Sequence, residues 1–342
     1  MAWVQTGFGG PEVRVLREVP IPTPGPDEVL VRVKAVAFNR LDVLQRKEAL
    51  VPTFRLPHIG GMDVGGEVVA AGSIAGESLI GARVVLDPVV TCGTCDRCVA
   101  NLEMYCRNFR TCGSSRDGGF ADYIAIPVRN CIRVDTRRVG LEELACVPVA
   151  SVTAWHGLIT VGHIQPGETV VIPGAGSGLG IAGIQMALSR GCRVITTVSS
   201  AEKISSARAL GADCVIDRST CDWVAEVLKF TEERGADLVW DHVGGDYLQQ
   251  AINACALNGR IVMSGTTAAN RSTFKNSSLF HWGKSIIGHG GYTAAEMRAT
   301  LDAYCAGKLR VVVDSRWQFS ELPQAEQRLE SGAFFGKILV LR

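Results

Sequence analysis

The segment VVIPGAGSGLG, residues 170–180, decides the fold of this chain. Its opening residues are apolar and β-branched, which predicts a buried strand. Glycines then alternate through a turn, and apolar residues recur at helical spacing over residues 181–189. A strand, a glycine turn and a helix in succession offer backbone N–H groups and a helix N-terminus to a pyrophosphate. The match to G-x-G-x-x-G is imperfect, with Ala175 and Ser177 at glycine positions, so a plain structural turn is the alternative.

The composition is that of a globular protein with about two domains. Its 342 residues are 47% hydrophobic and 20% charged, which leaves ample apolar material for a core. The formal net charge is +1 and no basic stripe carries interleaved aromatic residues, so neither nucleic acid nor a membrane surface is an expected partner. The opening residues MAWVQ do not resemble a signal peptide, and no apolar run is long enough for a membrane span. We therefore expect a cytoplasmic protein whose cysteines are reduced.

The order of predicted elements divides the chain into a β-rich part and an alternating part. Strands are predicted in the first third of the chain, among them residues 29–33, 81–86 and 118–126. Further along, strands at 170–172, 193–198, 215–217, 238–241, 259–264 and 285–288 alternate with helices. This alternation predicts a doubly wound parallel sheet. Helices near 294–306 and 322–331 and a strand at 337–341 follow.

Cysteines cluster in one polar, loop-like segment, at Cys92, Cys95, Cys98 and Cys106. This spacing suits thiolates that converge on a tetrahedral zinc ion. With every coordination position filled by protein, such an ion is structural. The alternative is a group of ordinary core cysteines or a disulfide. We expect zinc, and we treat Cys112, which lies just outside the spacing, as a bystander.

The end of the second strand of the alternating part bears on the choice of cofactor. NAD-binding folds place an acidic residue about 20 residues after the glycine turn, on the ribose 2′-hydroxyl. Here residues 196–203 read TTVSSAEK, and no acidic residue ends the strand. Ser199, Ser200 and Lys203 could instead bind a 2′-phosphate, which favours NADP(H) over NAD(H). Alternatively, Ser199 and Glu202 form a helix capping box and Lys203 is a solvated helix residue.

These features together resemble the medium-chain dehydrogenase/reductase superfamily. The resemblance lies in the glycine turn, residues 203–213, the four-cysteine lobe and residues 37–42, and it covers nearly the whole chain. Within the superfamily the chain is similar to zinc-containing alcohol dehydrogenases, with some features of quinone oxidoreductases. The resemblance implies an α/β protein with a GroES-like, β-rich catalytic domain and an inserted Rossmann domain with a doubly wound parallel sheet. The catalytic domain would comprise residues 1–150 and 291–342, with a structural zinc lobe near 90–112, and the Rossmann domain residues 151–290.

The zinc members of this family hold a second, catalytic zinc ion, and the resemblance implies that its ligands are replaced here. Asn39 stands at the position of a cysteine ligand, Met62 at that of a histidine, and Val149 at that of a cysteine or acid. An amide, a thioether and an isopropyl group do not form a zinc site. We therefore predict that the structural zinc is kept and the catalytic zinc is absent. Asn39 is the candidate catalytic residue, as a donor to a substrate oxygen; the alternative is a structural hydrogen bond to its own loop.

The resemblance also implies which residues contact the cofactor, most of them at the carboxyl ends of strands. They are Thr153, Gly176, Ser177, Gly178, Leu179, Ser199, Ser200, Lys203, Val243, Gly244, Gly265, Thr266, His289, Gly290 and Gly291. Thr153 would lie against the nicotinamide. Proteins of this family usually pair through the edge strands of their Rossmann domains, so a homodimer or homotetramer is expected.

The sequence therefore predicts an NADP(H)-dependent oxidoreductase with a structural zinc ion in each chain and no catalytic zinc. It would transfer a hydride to or from a small-molecule substrate, namely an apolar ketone, aldehyde or alcohol. Two alternatives stay open. One is a quinone or enone reductase of the same superfamily, and the other is a catalytically inactive NADP(H)-binding protein that acts as a sensor or a structural protein.

Overall fold

A computed structural model describes residues 1–75 and 77–342 of the chain. These residues form two compact units. The first comprises Met1–Val152 and Tyr292–Arg342, and the second comprises Thr153–Gly291. The domain limits predicted from the sequence lie within two residues of these boundaries. Within the described ranges, no helix has the length and apolar character needed to cross a membrane.

The first unit is built mainly of strands up to its junction with the second. The strands are β1 (Ala2–Gln5), β2 (Arg14–Arg17), β3 (Glu28–Ala37), β4 (His58–Ile59), β5 (Asp63–Ala71), β6 (Arg83–Leu86), β7 (Val89–Val90), β8 (Arg110–Thr111), β9 (Tyr123–Pro127) and β10 (Cys131–Arg133). The helices are α1 (Arg40–Lys47), α2 (Asp96–Val99) and α3 (Leu141–Leu144), followed by α4 (Pro148–Trp155), whose last three residues belong to the second unit. The last of these continues directly into a π-helical turn at His156–Val161.

The second unit alternates strands with helices. Its elements are β11 (Thr169–Ile172), α5 (Gly178–Ser189), β12 (Arg193–Val198), α6 (Ile204–Ala209), β13 (Cys214–Asp217), α7 (Trp223–Phe230), β14 (Ala236–Asp241), α8 (Tyr247–Ala254), β15 (Cys255–Met263), α9 (Ser277–Phe280) and β16 (Ser285–Gly288). Residues 292–342 then return to the first unit with α10 (Ala294–Cys305), β17 (Val313–Gln318), α11 (Leu322–Glu330) and β18 (Lys337–Leu341).

The sheet of the second unit is parallel throughout, in the strand order β13-β12-β11-β14-β15-β16. The apolar runs predicted as buried strands supply its core, with Val171, Ile195 and Val239 fully buried. Strand order reverses direction between β11 and β14, which is where an open sheet of this kind binds its ligand at the carboxyl ends of the strands. The predicted doubly wound Rossmann fold is confirmed.

The main sheet of the first unit runs β10-β6-β5-β3-β18-β17, with β9 paired to β3. The C-terminal strand β18 is antiparallel to β3, with Leu339 opposite Ala37. Antiparallel pairing places the beginning of one strand beside the end of the other, so Lys337 comes close to the residues that follow β3. The β-rich architecture predicted for the first unit, with its C-terminal strand in the same sheet as β3, is thereby confirmed.

Candidate functional site

The glycine turn after β11 is held closed by a serine. Ser177 is the N-cap of α5: its Oγ accepts a hydrogen bond from the Gly180 N–H (2.9 Å) and donates one to the Gly174 carbonyl (2.9 Å). Gly174 has a left-handed φ of +68°, and a Cβ on Gly180 would lie 2.2 Å from the Gly174 oxygen. Ser177 therefore takes a glycine position of the fingerprint because it caps the helix. The closed turn and the helix N-terminus fit a pyrophosphate.

The stretches predicted to contact the cofactor follow the carboxyl ends of parallel strands. Residues 176–179 follow β11, 199–203 follow β12, 243–244 follow β14, 265–266 follow β15, and 289–291 follow β16. Since these strands are parallel neighbours, their carboxyl ends share an edge of the sheet. At that edge the His289 Nε2 lies 3.0 Å from the Thr153 carbonyl oxygen. The structure thus brings the predicted cofactor residues to the same edge, and their contacts with a dinucleotide remain a prediction.

The segment after β12 does not form the capping box that was the alternative interpretation. Ser200 is the N-cap of the short 3₁₀ turn Ala201–Lys203, and its side chain makes no capping hydrogen bond. Instead the Lys203 Nζ lies 3.4 Å from the Ser199 Oγ. A hydroxyl and an ammonium group are therefore adjacent at the end of the strand where a dinucleotide-binding sheet meets the ribose.

Two neighbouring residues of this edge, Asp241 and His242, were not predicted from the sequence as part of the site. Oδ1 of Asp241 accepts the backbone N–H groups of Val243 (2.8 Å) and Gly244 (2.9 Å), so those amides are already used inside the protein. His242 is buried, with Nε2 3.0 Å from the Pro173 carbonyl oxygen, and burial lowers the pKa of its imidazole. The signal in the sequence that could have identified them was a carboxylate and a histidine at the end of a buried strand. In the structure both side chains hold the loop after β14 through hydrogen bonds to its backbone or to the neighbouring turn.

The four predicted zinc ligands come together in the first unit. The Sγ atoms of Cys92, Cys95, Cys98 and Cys106 all lie within 4.8 Å of one another, and neighbouring pairs are 3.5–3.9 Å apart. Tetrahedral Zn–S bonds of about 2.3 Å require sulfur atoms about 3.8 Å apart, so the group fits the ion. Backbone N–H groups of Thr94 and Cys95 lower the pKa of Cys92 to about 6, which favours the thiolate that zinc binds. Cys112 is buried outside this group.

Asn39 caps the start of α1 and lies beside a buried ion pair. The Lys337 Nζ donates to the Asn39 Oδ1 (2.8 Å), to the Asp63 Oδ2 (2.8 Å) and to the Phe38 carbonyl (2.8 Å). Among the described residues, no atom accepts a hydrogen bond from the Asn39 Nδ2, which is buried. The amide oxygen therefore makes a structural hydrogen bond, but its partner Lys337 lies on β18 and not in the loop of Asn39, where the alternative interpretation placed it. The structure also leaves the amide donor unpaired.

Two carboxylates brace the segment around Asn39. The Asp42 Oδ2 accepts the Asn39 backbone N–H (2.8 Å), and its Oδ1 accepts the Gly61 N–H (3.2 Å). Oδ1 of Asp63 accepts the Val149 N–H (2.9 Å). Complete burial raises the pKa of Asp42 to about 6, although the hydrogen bond from Asn39 and the charge of Arg14 oppose that rise. Through these hydrogen bonds both acids fix the backbone around Asn39.

The residues at the three expected catalytic ligand positions do not fit a zinc ion. The Asn39 oxygen is occupied by an ammonium group, Met62 offers a buried thioether and Val149 offers no donor side chain. The Asp63 carboxylate nearby is also paired with Lys337. A divalent cation at this position would meet the charge of Lys337, which already holds both oxygen ligands, and would find no thiolate or imidazole among these residues. Lys337 was missed because a single lysine that opens an apolar strand gives no local signal.

Comparison with known proteins finds a matching domain family for each of the two units. Models of the zinc-binding dehydrogenase domain and of the alcohol dehydrogenase GroES-like domain match residues 178–305 and 25–136. Alcohol dehydrogenase 1 of Emericella nidulans is 30% identical, over 99% of this chain and 97% of its own. Acryloyl-coenzyme A reductase of Sulfurisphaera tokodaii is 28% identical over 95% of each chain. The crystal structure of an NAD-dependent alcohol dehydrogenase aligns with 35% identity and a TM-score of 0.92, over 100% of this chain and 99% of that one.

Proposed function

This chain belongs to the medium-chain dehydrogenase/reductase superfamily, as a zinc-type alcohol dehydrogenase-like oxidoreductase, and on that premise we propose that it reduces a carbonyl compound, or oxidises the alcohol, without a catalytic zinc. Asn39 takes over the task of binding the substrate oxygen. The observation that supports this is its buried amide donor, which has no partner among the described residues. A buried donor left unpaired is costly, and a carbonyl oxygen that binds there would relieve that cost.

A bound nicotinamide dinucleotide supplies or accepts the hydride in this reaction. A carbonyl carbon that accepted this hydride would leave negative charge on its oxygen, and a proton from solvent water would then neutralise that charge. A fixed N–H donor that faces the developing oxyanion stabilises this charge. Asn39 can do this because its amide oxygen and backbone N–H are both held, by Lys337 and Asp42.

The cofactor that we propose is NADP(H). It is supported by the missing acid at the end of β12 and by the pairing of Lys203 with Ser199 (3.4 Å), which offer a cation and a hydroxyl to a 2′-phosphate. One similar solved structure is named an NAD-dependent enzyme. Cofactor preference is therefore measured with NADPH and NADH in parallel, and a clear preference for NADH would refute this part of the proposal.

Reduction of an alkene conjugated to a carbonyl group is the second candidate function. A relative matched over nearly its whole length is named acryloyl-coenzyme A reductase, which favours this reaction. Hydride would then add to the β-carbon, and negative charge would develop on the enolate oxygen. Asn39 would bind that oxygen as it would bind a ketone oxygen. The reaction products distinguish the two candidates, since one reduces a C=O bond and the other a C=C bond.

A homodimer or homotetramer is the assembly that we propose. The strand β16 lies at an edge of the parallel sheet, where its outer hydrogen-bonding groups are available to a second strand. Phe280 and Trp282, which lie just before this strand, are exposed. Pairing of two copies through β16 would cover both features, and the mass of the assembly in solution tests it.

The test of the proposed function is the variant Asn39→Leu, which keeps the approximate size of the side chain and removes the donor. Ketones, aldehydes, enones and an acryloyl thioester are offered with NADPH. With the best acceptor, kcat/KM should fall by roughly 100-fold in the variant, the usual effect of removing one oxyanion donor. The affinity for NADPH should not change. Asn253→Leu, at an exposed asparagine of α8, is the matched control.

Two results would count against the proposed function. Full activity of the Asn39→Leu enzyme would remove Asn39 from the reaction. Tight NADPH binding by the parent protein without turnover of any acceptor would favour the third possibility, a dinucleotide-binding protein that is catalytically inactive.

A further inference from the structure

Lys337 is a buried cation whose hydrogen-bonding capacity is fully used. It is 7% exposed at the start of β18, and its ammonium group makes three contacts of 2.8 Å, to the Phe38 carbonyl, the Asn39 amide oxygen and the Asp63 carboxylate. A lysine has three N–H donors. None remains for a substrate, so Lys337 can influence a bound substrate only through the groups that it holds.

The ammonium group decides which way the Asn39 carboxamide faces. In the observed orientation Oδ1 accepts from Lys337, and Nδ2 lies on the other side of the amide. If the amide were rotated by half a turn, its NH2 group would meet the ammonium, and two donors would oppose each other without an acceptor. A cation on Oδ1 also withdraws electrons from the amide and makes Nδ2 a stronger donor. One contact therefore sets both the direction and the strength of the donor.

The charge of Lys337 is balanced inside the protein. Oδ2 of Asp63 pairs with it at 2.8 Å, while Oδ1 of Asp63 is fixed by the Val149 N–H at 2.9 Å. Because Asp63 is completely buried and Lys337 nearly so, neither charge is screened by bulk solvent. The pair is thus electrically neutral as a whole, with its positive end turned toward the Asn39 oxygen.

We propose that Lys337 is a positioning residue of the substrate-oxygen site: with Asp63 as its counter-ion, it locks the Asn39 carboxamide so that Nδ2 faces the oxygen of a carbonyl substrate. This inference rests on the proposed function of Asn39. It assigns a protein cation to the region where related enzymes use a metal. It also predicts selectivity for substrates whose oxygen can accept a hydrogen bond over substrates that present only a donor.

A single substitution cannot test this role, because Lys337→Met leaves the buried Asp63 charge unpaired and should impair folding. The test is the double variant Lys337→Met/Asp63→Asn, which removes both charges and keeps an acceptor for the Val149 N–H. If Lys337 served only to neutralise Asp63, this double variant would keep full activity, because it contains no unpaired charge at these positions. If Lys337 positions Asn39, kcat should stay roughly 10- to 100-fold low, with unchanged KM for NADPH and a thermal midpoint near that of the parent.

The matched control breaks another ion pair of the first unit in the same way. Arg328 pairs with Asp314 at 3.0 Å, and Arg328→Met/Asp314→Asn should leave kcat unchanged. A second comparison adds Asn39→Leu to the Lys337→Met/Asp63→Asn variant. If Lys337 acts only through Asn39, this triple variant should be no slower than Asn39→Leu alone, because the two effects would not add.

The outcomes separate this inference from the proposed function. Full kcat in the Lys337→Met/Asp63→Asn enzyme, with low activity of Asn39→Leu, would overturn the positioning role and leave Asn39 as the donor. Additive losses in the triple variant would likewise refute it, since Lys337 would then act by another route. Full activity of Asn39→Leu would instead refute the proposed function itself.

Discussion

Asp87 shows how a buried acid contributes to the pH response of the first unit. It follows β6, and its Oδ1 accepts hydrogen bonds from the Val89 N–H (3.0 Å) and the Tyr292 hydroxyl (2.8 Å). Burial raises the pKa of Asp87 from 3.8 to about 6, because the hydrogen bonds offset only part of the desolvation. The folded state therefore holds this proton more tightly than the unfolded chain. Its stabilising contribution is complete below pH 3.8 and is lost as the pH rises through 6.

Substitution of this acid should flatten the pH profile. The decrease in the free energy of unfolding between pH 4 and pH 7 should be smaller in Asp87→Asn than in the parent, and the two decreases should differ by about 1–3 kcal/mol. Asparagine keeps the acceptor for Tyr292 and Val89 and cannot ionise. Denaturant unfolding at several pH values measures the difference, with Asp302→Asn at an exposed acid as the control. Parallel profiles for the Asp87→Asn variant and the parent would mean that Asp87 titrates normally.

At the scale of elements, the lobe between β7 and β8 has little regular structure of its own, and we expect it to depend on a zinc ion. Its regular structure consists of the four-residue helix α2 and one 3₁₀ turn, Glu103–Tyr105. Such short elements do not persist without support from other contacts. Backbone N–H groups of Cys95 and Asn108 donate to the sulfurs of Cys92 and Cys106 at 3.3 and 3.4 Å. A zinc ion held by these sulfurs would therefore organise the backbone of the whole lobe.

Removal of one ligand should release both the metal and the lobe. The parent should contain about one zinc ion per chain, as a closed four-thiolate site predicts. Cys106→Ser should lose most of that zinc, and a protease should then cleave the chain between residues 92 and 106. Elemental analysis and mass spectrometry of the fragments measure both effects, and Cys221→Ser, at an exposed cysteine, is the control. A measured content of two zinc ions per chain would contradict the absence of a catalytic zinc site.

The elements that the sequence predicts well are those with strong local patterns. The strands at Arg193–Val198, Ser285–Gly288 and Lys337–Leu341 have the predicted limits, since a run of apolar or β-branched residues marks each of them. The strand Val313–Gln318 was not predicted, because VDSRWQ is polar and lies at the edge of its sheet. The π-helical turn His156–Val161 is also not visible in the sequence, since its spacing matches neither common period.

The same distinction holds for the candidate site. The glycine turn and the cysteine group are predictable because their residues are close in the sequence and each spacing has a geometric meaning. The Lys337–Asn39 contact joins residues 298 positions apart, and only the pairing of β18 with β3 creates it. Asn39, Met62 and Val149, which do not suit a catalytic zinc ion, are therefore visible in the sequence, while the cation beside Asn39 is not.

At the scale of the whole molecule, the C-terminal segment completes a unit that the N-terminal segment begins. Besides β18, a buried charge network joins the two ends of the chain. Glu326 of α11 pairs with Arg14 (3.1 Å), 312 residues away, and with Arg46 (3.0 Å), 280 residues away. All three side chains are almost completely buried. Loss of the acid would leave the buried Arg14 guanidinium without its counter-ion and Arg46 with Glu330 alone (2.8 Å), which is more costly than loss of an exposed pair.

Glu326→Gln should therefore destabilise the first unit by about 3–5 kcal/mol, the usual cost of removing one partner from a buried ion pair. Hydrogen exchange followed by mass spectrometry can locate the effect. Peptides from α1 and α11 should exchange faster in the variant, whereas peptides from residues 153–291 should keep the rates of the parent, because the network lies entirely within the first unit. Asp135→Asn removes the acid of the exposed Arg137 pair and should change neither set. Faster exchange in both units of the Glu326→Gln protein would contradict this confinement and would mean that the two units unfold together.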